Sequence, residues 1–147
     1  MTHHQSAGFT LIELLLSVVI ITMLTGISIP VYESFVRRND LDLTGQNLAF
    51  ALRRAATYAR GAQYDAAWGV KIQPASIVLF QGATYATRNA TFDETTVMPS
   101  SVTPAGLSEV QFSKLNALPN TTGSVTLTST TNDIRTVTIN AKGMVSY

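Results

Sequence analysis

The chain contains no cysteine, which excludes disulfide staples, thiolate nucleophiles and zinc–thiolate sites. Its two histidines, His3 and His4, both precede Gly8. Charge is sparse as well, at 13% of residues. Past Pro30, ten Lys/Arg stand against eight Asp/Glu, a balance of 10 − 8 = +2. That is not the footprint of a dedicated nucleic-acid binder. The remaining acids offer little chemistry: Asp93-Glu94 is an adjacent pair in a polar stretch, and Asp65, Glu109 and Asp133 show no metal-ligand spacing. Asn89-Ala90-Thr91 and Asn120-Thr121-Thr122 match a glycosylation acceptor, a triplet that polar loops produce often. No catalytic constellation stands out, and no cofactor is implied.

What the chain does have is one long apolar run, Phe9 to Ile29. As a helix its 21 residues rise about 32 Å, close to the thickness of a bilayer's hydrocarbon core. Its fifth residue, Glu13, is a carboxylate, which costs about 2.5–3.5 kcal/mol at the centre of a spanning helix and less near the interface. The eight residues before it are polar and end in Gly8. A secretory signal places its small-residue cleavage site after the apolar stretch; here the order is inverted. Cleavage after Gly8 would keep the helix in the mature chain. His3 and His4 could be imagined as metal ligands, but a short flexible leader is a poor frame for a site.

Gly8-Phe9-Thr10-Leu11-Ile12-Glu13 with the run behind it resembles the class III signal of type IV prepilins and type II secretion pseudopilins. The resemblance implies that prepilin peptidase cuts between Gly8 and Phe9 and N-methylates Phe9. It implies residence in the cytoplasmic membrane, single-pass with the head outside the cytoplasm, followed by transfer to a cell-surface or periplasmic filament. Membrane lipid, other pilin or pseudopilin subunits and an inner-membrane assembly platform are then the partners. Glu13 becomes an assembly contact for the Phe9 amine, either within its own chain, one helical turn away, or on a neighbouring subunit. The leader departs from the family pattern in lacking Lys and Arg, while Arg37 and Arg38 follow the run. The positive-inside rule alone would keep the head in the cytoplasm; the outward orientation follows from the resemblance.

Gly26 and Pro30 mark a helix kink or a local unwinding, because proline removes a backbone donor and clashes with the preceding turn. Helical periodicity resumes after Arg37-Arg38-Asn39-Asp40. Leu41, Gly45, Leu48, Leu52, Ala55 and Ala59 form one apolar-to-small stripe, Arg53, Arg54 and Arg60 fall on polar faces, and Gly61 is a helix stop. Strands are expected around Trp68-Val70-Ile72, 76–80, Val110-Phe112, Val125-Leu127 and Val137-Ile139, with Asn140–Gly143 turning the chain into Met144–Tyr147. Residues 83–107, rich in Thr, Ser and Asn with Pro99, Pro104 and Gly106, read as an irregular exposed insertion.

The expected fold class is α+β and pilin-like: a long N-terminal α-helix, transmembrane in its first half, packed on a C-terminal antiparallel β-sheet. The divisions are a cleaved leader (1–8), a transmembrane and filament-core helix (9–30), its amphipathic continuation (31–61) and a β-rich head (62–147). Leu52-Arg53-Arg54-Ala55-Ala56, Trp68-Gly69-Val70-Lys71-Ile72, Val110-Gln111-Phe112-Ser113 and the closing Val137–Val145 stretch resemble, in that order, the GspH/FimT group of H-type pseudopilins and minor pilins. Three function classes compete: a structural minor pilin or pseudopilin, a DNA- or surface-binding subunit at a filament tip, and an enzyme. The resemblance makes DNA contact conceivable through Arg88, Lys114, Arg135 and Lys142, but those few cations fall short of multi-phosphate binding. Loss of the leader would remove both histidines, so the chain reads as a substrate of a peptidase and not as an enzyme.

Overall fold

The structure is a computed structural model that describes residues 8–147, with residues 26–31 described by their backbone alone. The chain divides into two compact units, one ending at Phe35 and one spanning Val36–Tyr147. Helix α1 is Leu11–Arg60, and its helical assignment runs through Gly26 and Pro30. The polar break expected at 37–40 lies inside the helix. A kink at Gly26 and Pro30 falls on residues whose side chains lie outside the described set.

Within Val36–Tyr147 the small-residue stripe does what its spacing predicts. Leu41, Leu48, Leu52, Ala55 and Ala59 are all buried, and Gly45 with them. They join one hydrophobic core with residues of eight strands: β1 Trp68–Gln73, β2 Ser76–Gln81, β3 Asn89–Val97, β4 Val102–Gly106, β5 Glu109–Phe112, β6 Gly123–Ser129, β7 Ile134–Ile139 and β8 Val145–Ser146. The α+β, pilin-like class holds: a helix packed on antiparallel sheet.

Two features of the head correct the expectation. The strands make two four-stranded antiparallel sheets, ordered β3-β2-β1-β5 and β4-β6-β7-β8, where a single sheet was expected. The stretch 83–107 is not an irregular insertion, because it supplies β3 and β4, one edge of each sheet. Their patterning is faint for a physical reason. Edge β3 buries no residue fully, and β4 accepts Pro104 because an edge strand leaves some N–H positions unpaired.

The central strands follow their patterns. Trp68, Val70 and Ile72 enter the core from β1, and Ile77 and Leu79 from β2, while Val78 and Phe80 are buried on the opposite face of β2. Val125 and Leu127 of β6 pair with β7, which carries Val137 and Ile139 inward. The Asn140–Gly143 turn closes through a Gly143 N–H to Asn140 carbonyl bond of 2.9 Å, with Gly143 at φ 75°, a conformation that favours glycine.

Candidate functional site

The signal segment begins outside the helix. Gly8 and Phe9 are exposed and non-helical, with no other heavy atom within 4 Å of where a Gly8 side chain would start. A protease needs a reachable peptide bond outside regular structure, and the Gly8–Phe9 bond is exposed and non-helical. Thr10 then caps α1. Its Oγ1 accepts the Glu13 amide at 3.3 Å and its carbonyl accepts the Leu14 amide at 3.2 Å. Thr10-Leu11-Ile12-Glu13 is the Thr-x-x-Glu order of a capping box, a signal present in the sequence but not used in the expectations above. Because the helix starts at Leu11, Phe9 lies before the cap.

Glu13 occupies the first turn of α1, where the unpaired amides of the helix end favour an anion. Its carboxylate has no ion-pair partner among the described residues. Behind it the helix leaves its apolar side chains uncovered: Leu11 is 81% exposed, Leu14 60%, Ile21 62% and Leu24 64%. The hydroxyls in this stretch are nevertheless satisfied within the helix. Ser17 donates to the Glu13 carbonyl at 2.7 Å, Thr22 to Val18, and Thr25 to Ile21 at 2.7 Å. Such back-bonding lets a hydroxyl enter an apolar environment without an unmet donor. Among the described residues no helix is long and apolar enough to cross a membrane. Leu11–Thr25, described in full, rises about 22 Å, less than a hydrocarbon core, and the expected run continues into residues 26–29.

Three of the four cations expected as DNA contacts are held by carboxylates. Arg88 pairs with Asp93 at 2.7 Å, Lys114 with Asp65 at 2.6 Å, and Arg135 with Asp42 at 2.7 Å. These hydrogen bonds raise the pKa of Arg88 and Arg135 above the ordinary arginine value. Lys142 sits on the exposed β7–β8 turn. Arg88 precedes β3 in one sheet, while Arg135 lies on β7 in the other. Arg54, expected on a solvated helix face, is engaged too. It donates to the Tyr58 hydroxyl at 2.6 Å and to Glu94 at 2.7 Å, and these bonds, Tyr58 first, raise its pKa.

Comparison with known proteins returns one family. The prokaryotic N-terminal methylation motif matches residues 3–29. No curated protein and no solved structure matches the chain. The matched segment contains the Gly8–Phe9 bond, the Thr10 cap and Glu13, so the motif and the geometry meet on the same residues. This prepilin-type motif supports a type IV pilin or pseudopilin that is processed by prepilin peptidase and assembles with other pilins.

Proposed function

We propose that the chain is a minor pilin or pseudopilin, stored in the cytoplasmic membrane through the apolar run Phe9–Ile29 and assembled into a filament by the same helix. In this reading prepilin peptidase cuts the exposed Gly8–Phe9 bond and methylates Phe9. The observation that supports it is the start of α1: an exposed, non-helical Gly8–Phe9 bond, a threonine cap, and a first-turn carboxylate with no ion-pair partner among the described residues. Cleavage creates a cation at Phe9. Glu13 then supplies the anion that a like terminus on a neighbouring subunit can meet, and pairing offsets the cost of an acid in an apolar layer.

The exposed apolar face and self-satisfied hydroxyls suit lipid before assembly and packed helices afterwards. The order of Leu52–Ala56, Trp68–Ile72, Val110–Ser113 and Val137–Val145 resembles the GspH/FimT group, and on that resemblance we read the chain as a minor subunit. Glu13→Ala tests the assignment in cells that assemble the filament. Processing should remain near normal while incorporation into sheared filaments falls roughly tenfold or more, as expected for loss of a buried charge pair. Normal incorporation would remove Glu13 from the assembly step.

A further inference from the structure

Where the end of α1 meets the edge of the β3-β2-β1-β5 sheet, aromatic rings collect. The Tyr64 and Phe92 ring centroids lie 4.5 Å apart, and Tyr58 stands edge-on to Trp68 at 4.9 Å. Trp68 is buried, and its indole N–H donates to the Gln63 carbonyl at 3.1 Å, so it forms a wall of the cluster. Tyr64 is 62% exposed. It is held on a turn where Ala62, Tyr64 and Asp65 take φ of 47°, 55° and 57°, a left-handed region that non-glycine residues seldom adopt. An open crevice of about 260 Å³ runs along these rings, and Gln63, Thr91, Asp93 and Glu94 line it with them.

The polar groups of that crevice have unused hydrogen-bonding capacity. Among the described residues, the side chains of Gln63 and Thr91 make no hydrogen bond. Glu94 is held through Oε1 alone, which leaves its Oε2 without a partner among the described residues. The charges, by contrast, are already balanced: Arg54 pairs with Glu94 and Arg88 with Asp93, each at 2.7 Å. A cationic guest would compete with the Arg54 guanidinium, and an anionic guest would face the Glu94 carboxylate. A purely apolar guest would leave the amide, hydroxyl and carboxylate groups unpaired. What matches is an uncharged ligand with C–H faces for the rings and many hydroxyls for the rim.

We propose that this crevice binds a neutral saccharide, with the Tyr64 and Phe92 rings as the stacking surface. Gln63, Thr91 and the Oε2 of Glu94 then bond its hydroxyls. The site lies wholly within Val36–Tyr147 and stands independently of how the chain assembles.

Trp68 is the only tryptophan, so its fluorescence reports on the site directly. The test uses the full chain in a detergent without a sugar headgroup, titrated with neutral oligosaccharides of hexose and N-acetylhexosamine units. A saturable change in Trp68 emission is expected at about 0.1–1 mM, the range of shallow sites. Tyr64→Ala should weaken it roughly tenfold, as loss of a central aromatic contact does. The exposed Gln63→Ala should also weaken it, whereas Ile134→Ala on the other sheet should not. No saturable response from any member of the panel would overturn the proposal. So would binding unaffected by both Tyr64→Ala and Gln63→Ala, or a stronger response to choline or to acidic saccharides.

Discussion

Phe80 closes over Gly69, its partner across the β1–β2 pair. A Cβ on Gly69 would lie 2.5 Å from the Phe80 Cζ and 2.9 Å from the Val110 carbonyl oxygen. Phe80 is fully buried on the face of β2 opposite the main core, where Tyr85 packs edge-on at 5.6 Å. The glycine is the space that the ring fills.

Gly69→Ala should therefore destabilise the head by about 1–3 kcal/mol, the usual cost of overpacking against atoms that cannot retreat. Chemical denaturation is the measurement. The midpoint should fall with the slope unchanged. An unshifted midpoint would mean that the Phe80 ring has room to move.

Thr10→Ala removes the cap of α1 and should cost about 1 kcal/mol of local helix stability. Amide exchange at Glu13 and Leu14 should accelerate, and Thr10→Ser should restore protection. Equal exchange in all three proteins would show that the Thr10 hydroxyl does not cap the helix.

Arg54 links α1 to β3 through Glu94, with the side chains 33% and 49% exposed. At that exposure water screens the pair, so a double-mutant cycle with Arg54→Met and Glu94→Gln should give a coupling of about 0.5 kcal/mol and no more than about 1 kcal/mol. A larger coupling would mean that the pair is more desolvated than its exposure indicates.

The full chain should show no retention on DNA at low salt, because Arg88, Lys114 and Arg135 are each held by a carboxylate. Electrophoretic mobility shift assays at graded salt test this. Salt-dependent binding lost on replacing Arg88, Lys114, Arg135 and Lys142 with Gln would restore the nucleic-acid reading.

Much of the fold was legible where burial imposes a period. The Leu41–Ala59 stripe, the alternation of β1 and the Asn140–Gly143 turn all carry their geometry in residue type and spacing. Edge strands β3 and β4 were hidden, because a half-covered strand needs no regular alternation and β4 tolerates Pro104. The split into two sheets is a matter of pairing partners far apart in sequence, which no local pattern encodes. At the signal segment, the motif that matches residues 3–29 was readable from residue identity. Thr10 was readable too, as the first member of a capping box. The Tyr64–Phe92 contact was not, since it depends on left-handed backbone at Ala62, Tyr64 and Asp65, residues that give no local cue for it.

The central claim is that Gly8–Phe9 is a processing site that leaves the helix in the mature chain. Intact-mass and N-terminal peptide spectrometry on protein from cells with active prepilin peptidase tests it most directly. The predicted result is a chain beginning at N-methylated Phe9 with residues 1–8 absent. A chain retaining Met1, or a terminus at any residue other than Phe9, would contradict the account.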